Sequence, residues 1–152
     1  MTNFEFDPHY RNLDVEIYSR RDLSPLGEHF GSSAFVMYCD RWGDRTPFLL
    51  ALEPPIRSRR KPSPARDLEY FLDLFDNIPG ELQDLWSRRT RLHFDFGIEG
   101  GLMHPNPEGH INLYSFDLPP DLLRRVSVLN GKIVMTIYPY APEDLAQARP
   151  AT

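Results

Sequence analysis

The stretch that most constrains the fold is residues 90–98, TRLHFDFGI, in which apolar and polar side chains alternate. Successive side chains of a β-strand point to opposite faces, so this pattern predicts a strand with one buried face. Residues 13–19, LDVEIYS, alternate in the same way. We therefore expect a sheet with one face on a core and the other towards solvent. The side chains expected to point inward are Leu13, Val15, Ile17, Leu92, Phe94, Phe96 and Ile98.

Two further runs, SAFVMYCD (33–40) and TPFLLALE (46–53), are apolar and rich in strand-forming residues. The turn WGDR between them predicts a hairpin. Because both runs are apolar on both faces, the two strands are expected near the centre of the sheet. HINLYSF (110–116) and KIVMTIYP (132–139) predict two more strands.

Helices are indicated by apolar residues at helical spacing. A short helical turn is predicted in RDLSPLGEHFG, with Leu23, Leu26 and Phe30 on one face, and a stronger helix is predicted to begin at Asp67. A second short helix is expected from Pro79 and a third from the Pro119–Pro120 pair, ending at Asn130–Gly131. The apolar faces of the last three helices comprise Leu68, Phe71, Leu72 and Phe75, then Leu82, Leu85 and Trp86, then Leu122, Val126 and Leu129.

The predicted order is β-α-β-β-α-α-β-β-α-β. It indicates an α+β fold, a mainly antiparallel sheet of about six strands with helices packed on one face. A single domain over residues 1–140 is the simplest division for this length. Within it, residues 53–66 are expected to be a mobile basic loop because they combine four prolines with five cations. Residues 141–152 are expected to be a frayed tail.

The charge distribution is uneven. The chain has a net charge of −5, but residues 57–66 carry five basic residues and no acid. Without them, 12 basic residues face 22 acidic ones, a net charge of −10 for the rest. Such a body repels nucleic acid and attracts basic protein surfaces. We expect a basic protein partner and neither nucleic acid nor a membrane, and we interpret the 57–66 segment as a solvated loop rather than a phosphate-binding arm.

Cellular location follows from two simple observations. The first ten residues, MTNFEFDPHY, have neither the basic nor the apolar region of a signal peptide. Cys39 is the single cysteine, which excludes an intrachain disulfide and suits a reducing compartment. These features predict a cytoplasmic protein.

The segment GIEGGLMHPNPEGHIN (97–112) concentrates glutamate, histidine and glycine. His104 and His110 are six residues apart, which brings them together on neither a helix nor a strand. Glu99 and Glu108 are expected in a solvated turn, where nothing would shift their pKa. We interpret the segment as a hairpin loop that can contact a partner, and we predict no catalytic residue, metal or cofactor.

The outward-facing side chains are the more informative candidates. If Asp14, Glu16 and Tyr18 share the helix-free face with His93 and Asp95, that face is acidic and partly aromatic. Two interpretations of Tyr114 and Phe116 remain open: they add aromatic anchors to this face, or they belong to the core. The residues predicted to bind a partner are Asp14, Glu16, Tyr18, Asp95, Glu99, His104, Glu108 and Tyr114.

Residues 90–140 also resemble a known group of proteins. RLHFDFGI, the segment HINLYSFDLPPDLLRRVSVLNG and the strand KIVMTIYP are together similar to a bacterial family of uncharacterised small α+β proteins. Proteins of this general kind include immunity proteins that neutralise toxins exchanged between bacteria. The resemblance implies that class without assigning a role to any residue.

These features predict a cytoplasmic immunity protein that binds and occludes a basic toxin domain. One alternative is a regulatory or structural module that forms homo-oligomers, with a homodimer as the simplest form. Another is a small enzyme or metal protein that uses the 97–112 loop.

Overall fold

A computed structural model describes residues 8–41, 47–55, 62–86, 90–100 and 114–138. These residues form five strands and four helices in an α+β arrangement. In chain order the elements are β1 (His9–Ser19), α1 (Ser24–Phe30), β2 (Phe35–Arg41), β3 (Phe48–Glu53), α2 (Pro64–Asp76), α3 (Gly80–Gln83), β4 (Arg91–Glu99), α4 (Pro120–Val128) and β5 (Gly131–Tyr138).

The five strands form one mixed sheet in the order β2-β3-β1-β4-β5. β1 lies at the centre, antiparallel to both β3 and β4, and β2 is antiparallel to β3. β5 is parallel to β4, with α4 in the connection between them. This pairing follows from the chain path, because two parallel strands need a crossover and a helix supplies it.

The predicted hairpin after β4 is wrong. β4 pairs with β1 on one side and with β5 on the other, so no position beside it is left for residues 110–116. Residues 114–116 lie in no strand, and residues 101–113 fall outside the described part of the chain. The sheet is therefore mixed, and its described part has five strands rather than about six.

The prediction that β2 and β3 lie near the centre of the sheet is correct for β3 and wrong for β2. β3 is buried on both faces from Leu49 to Leu52, as predicted. β2 instead forms one edge of the sheet, where Phe35 is 59% exposed. An apolar run does not identify its neighbours, and the central position belongs to the alternating strand β1.

The core lies between the sheet and the helices, which all pack on the same face. The inward residues of β1 and β4 are buried as the alternation predicted, and Leu13, Val15, Ile17, Phe94 and Phe96 are fully so. The register between β1 and β4 shifts at Arg11, which places Tyr10 on the helix side as well. There its hydroxyl donates to Asp67 Oδ2 of α2 at 2.6 Å.

The predictions for α1, α2 and α4 hold with shifted ends, whereas α3 ends at Gln83, before Leu85 and Trp86 of its predicted apolar face. The apolar faces of α1, α2 and α4 are buried at the predicted residues, except that Leu129 is only partly buried. α2 begins at Pro64 rather than Asp67, because proline suits the first turn of a helix. Residues 64–66 of the predicted 53–66 loop therefore belong to the helix. Asn130 has the left-handed φ of 53° expected after α4, and Gly131 then begins β5. The single-domain division and the mobile loop stay predictions, and residues 56–61 and 139–152 lie outside the described residues.

Candidate functional site

The helix-free face of the sheet carries a group of polar side chains contributed by four adjacent strands. We call this surface the acidic face. Its centre contains Asn12, Asp14 and Glu16 of β1, Glu53 of β3, His93 and Asp95 of β4, and Thr136 of β5, with Tyr18, Arg91 and Tyr138 around them.

At its centre two aspartates face each other. Asp14 and Asp95 are directly paired across β1 and β4, so their carboxyl groups share one face. Burial, with the neighbouring carboxylates of Glu53, Asp95 and Glu16, raises the pKa of Asp14 to about 7. Opposed like charges destabilise a strand pair, so the two aspartates oppose folding when both are ionised.

Asn12 holds two of these acids in place. Its Nδ2 donates to Asp14 Oδ1 at 2.7 Å and to Glu53 Oε1 at 3.0 Å. The space for Asn12 comes from its strand partner Gly97, where an added Cβ would lie 2.5 Å from Asn12 Oδ1. Gly97 is thus needed for the acid–amide contact and not only for chain flexibility.

A second set of contacts surrounds Glu16. The Tyr18 hydroxyl donates to Glu16 Oε2 at 2.7 Å, and His93 Nδ1 lies 3.6 Å from the same oxygen. Burial and this hydrogen bond raise the pKa of Tyr18 to about 12, so the phenol keeps its proton near neutral pH. The Arg91 guanidinium carbon lies 5.3 Å from the centroid of the Tyr18 ring, which is a cation–π contact.

Cations stand at the edges of the acidic face rather than at its centre. Arg91 covers Tyr18, and Arg11 lies 5.1 Å from the centroid of the Tyr138 ring. Neither arginine makes an ion pair with Asp14 or Asp95 among the described residues. The central carboxylates therefore keep their capacity for a cationic group from outside.

Three buried polar atoms of this face have no hydrogen-bond partner among the described residues: Asn12 Oδ1, Asp95 Oδ1 and His93 Nε2. The other oxygen of Asp95 accepts a hydrogen bond from Thr136 Oγ1 at 2.7 Å. Two of the three atoms are acceptors beside carboxylates. A buried acceptor without a donor is unfavourable, so these atoms lower the stability that the polar contacts of this face would otherwise give.

The chemistry of this arrangement suits recognition of a cation. Carboxylate and amide oxygens accept hydrogen bonds from ammonium or guanidinium groups, and such charge-assisted bonds are the stronger ones. A carboxyl that titrates near pH 7 beside another carboxylate is also suited to proton transfer. Across the described ranges, no three His, Cys, Asp or Glu side chains are arranged to hold a metal ion.

The structure brings four of the eight predicted residues together: Asp14, Glu16, Tyr18 and Asp95. Glu99 ends β4 away from this centre, with its Oε2 3.5 Å from His9 Nε2. Tyr114 lies on the helix side, where it contacts Phe116, whose ring packs on Phe96 of the core. Of the two interpretations, packing against the core is the correct one for these aromatics. His104 and Glu108 lie outside the described residues.

Sequence reasoning missed four members of the acidic face. Asn12 precedes the alternation at 13–19, although extending that pattern by one residue places it on the outward face. Glu53 ends the predicted strand 46–53 and begins the predicted basic loop, and Thr136 and Tyr138 belong to a predicted strand with no predicted neighbour. Only the strand order reveals that these residues meet.

Comparison of the chain with protein-family models, curated proteins and solved structures found no match. No helix among the described residues is long and apolar enough to cross a membrane.

Proposed function

We propose that this protein is a binding module that receives the basic surface of a partner protein on its acidic face. The observation that carries the proposal is the pair Asp14–Asp95, two directly opposed carboxyl groups that no cation of the described residues pairs with. A lysine or arginine of a partner would offset the repulsion between them by its charge.

The wider surface fits the same role. Tyr18 and Tyr138 flank the acids, and tyrosine is enriched among the residues that dominate binding energy at protein interfaces. The chain as a whole carries a net charge of −5, which steers a cationic partner towards it. These features support a partner that is a basic folded protein.

The class of partner that we propose is a bacterial toxin domain that the protein occludes in the cytoplasm, as immunity proteins do. This choice rests on the resemblance of residues 90–140 to the uncharacterised α+β family described above, which implies the class of immunity proteins, and on the acidic face. The single free cysteine suits the cytoplasm. In this role the protein acts by occupying the toxin surface and not by catalysis.

Co-expression with the protein encoded by the neighbouring gene tests the proposal. The expected results are a complex that co-purifies with this chain and survival of cells that otherwise die from the partner. Absence of both complex and protection would overturn it.

A matched pair of variants then tests the surface. Asp14→Asn combined with Asp95→Asn removes two charges from the acidic face while keeping side-chain size. Glu69→Gln combined with Glu81→Gln removes two charges from exposed positions of the helix layer. We expect the first variant to weaken binding about tenfold or more, mainly through faster dissociation because the two acids lie at the centre of the contact, and the second to bind like the natural protein. Equal binding by both variants would exclude the acidic face.

A further inference from the structure

Among the described strands, β5 forms one edge of the sheet and is paired on one side only. It pairs with β4 in a regular register of eight residue pairs without a bulge, and no strand of the described chain pairs with its other side. The outer edge of such a strand presents a row of free N–H and C=O groups, which can pair with another strand.

An exposed apolar row follows this edge. Ile133, Met135 and Ile137 are 41%, 64% and 48% exposed, whereas Phe94 and Phe96, their strand partners in β4, are fully buried. The row lies on the helix side, and Val128 in the preceding helix α4 is 80% exposed as well. An exposed apolar row of this kind is typical of an interaction surface.

The opposite edge of the sheet is protected differently. β2 also exposes Met37, at 39%, but its pairing with β3 shifts register between Val36 and Tyr38. β2 also ends in Asp40 and Arg41. Bulges and charges are common devices that prevent edge-to-edge pairing. β5 lacks a bulge and carries a single charge, Lys132, so its edge is suited to pairing.

We propose that β5 pairs antiparallel with β5 of a second copy of this chain, centred on Met135. The strand sequence supports a copy as the occupant, because KIVMTIY (132–138) is nearly symmetric about Met135. In this register Met135 lies opposite itself and Ile133 lies opposite Ile137 on the helix side. Val134 lies opposite Thr136 on the other face. Directly opposed β-branched and apolar residues stabilise antiparallel pairs.

The charges of the strand are compatible with this register. Lys132, the one charged residue of β5, lies opposite Tyr138 of the copy, so no like charges are directly opposed. Tyr138 is the strand partner of Glu99 in β4. The Glu99 carboxylate, on the same sheet face, offsets the charge of Arg11, which stacks on Tyr138.

The resulting dimer would have one continuous sheet of ten strands, with both helix layers on the same side. An antiparallel pair has its twofold axis perpendicular to the sheet, which makes the two contact surfaces identical. The acidic faces of both copies stay open on the other side. The dimer is therefore independent of the proposed binding of a basic partner, and either can be found without the other.

Sedimentation velocity on the purified full chain tests the dimer. We expect the natural protein to be a dimer at about 100 μM, with dissociation on dilution. Met135→Lys is expected to raise the dimer dissociation constant about 100-fold or more while leaving the circular dichroism spectrum unchanged. Met37→Lys, the same substitution on the other edge strand, should leave the dimer intact. A monomeric natural protein, or dissociation caused by Met37→Lys and not by Met135→Lys, would overturn the proposal.

Cysteine crosslinking tests the register. In a Cys39→Ser background, Met135→Cys should form a disulfide between copies under mild oxidation, because the register places residue 135 opposite itself. Ile133→Cys in the same background should not crosslink, since its opposite residue is Ile137. Crosslinking of Ile133→Cys as fast as Met135→Cys, or none by Met135→Cys, would contradict pairing centred on Met135.

Discussion

Asp14 of β1 and Asp95 of β4 are directly opposed across the centre of the sheet, with both carboxyl groups on the helix-free face. Asp95 is tied to β5 by the hydroxyl of Thr136, and Asp14 to β3 through Asn12 and Glu53. Two groups that repel each other are thus held together by polar contacts from the strands on either side. This relationship leads to three predictions about stability, and an ion pair between two helices leads to a fourth.

The first prediction concerns Asp14→Asn and pH. The folded state raises the pKa of Asp14 from 3.8 to about 7, so it binds more protons than the unfolded state between these values. The contribution of Asp14 to the free energy of unfolding therefore falls as the pH rises from about 4 to about 7. Asparagine removes the charge, so we expect the variant to be more stable at pH 8. The expected gain is about 1 to 2 kcal/mol, which is less than the full pKa shift would give, because the side chain is partly exposed to solvent.

Urea denaturation at several pH values measures this effect. The gain should vanish below about pH 3, where the natural aspartate is protonated in both the folded and the unfolded state. Glu81→Gln on exposed α3 serves as a control that should show no such gain. If Asp14→Asn is instead less stable than the natural protein at pH 8, the folded state stabilises the ionised form of Asp14, which contradicts the prediction.

The second prediction concerns Thr136→Val. Valine keeps the shape and β-branching of threonine but removes the hydroxyl that donates to Asp95 Oδ2. Asp95 Oδ1 has no partner among the described residues, so the substitution would leave both oxygens without a donor from that part of the chain. We expect a loss of about 1 to 3 kcal/mol in the free energy of unfolding. Thr136→Ser keeps the hydroxyl and should lose less; equal losses would mean that the hydrogen bond contributes nothing.

The third prediction compares two glycines. Gly97→Ala places a methyl group 2.5 Å from Asn12 Oδ1, so Asn12 must move away from Asp14 and Glu53. We expect a loss of about 1 to 3 kcal/mol in thermal or chemical denaturation. An added Cβ at Gly80, in α3, meets nothing within 4 Å, so Gly80→Ala should be neutral or slightly stabilising. Similar behaviour of the two variants would argue against the crowding at Gly97.

The fourth prediction concerns Arg125, which joins two helices. Its Nη2 lies 2.7 Å from Asp73 and 2.7 Å from Asp76, so α4 is linked to α2 by ion pairs near the surface. Because exposed ion pairs contribute little, we expect Arg125→Gln to lower the free energy of unfolding by about 1 kcal/mol or less. The loss should shrink in high salt, which screens the pairs. Arg124→Gln is the control, since Arg124 is exposed and makes no ion pair with a described residue; a larger loss there would contradict the assignment.

Much of the fold was predictable because local periodicity reports which side of an element is buried. The alternation in β1 and β4 identified Leu13 and Phe94 as inward and Asp14 and Asp95 as outward, and the structure agrees. Because a sheet that packs on a core with one face exposes the other face to solvent, the same alternation also predicted a polar sheet face. These inferences need only the neighbouring residues along the chain.

The order of the strands could not be predicted from local periodicity. A periodic pattern shows which face a residue occupies and not which strand lies beside it. The sequence by itself determined that Asp14 and Asp95 point away from the core, through the twofold period of a strand. The tertiary structure alone decided that they are opposed, that β5 takes the place of the expected hairpin strand, and that Tyr114 packs on the helix side. Those outcomes depend on contacts between distant segments, whose energy no local pattern records.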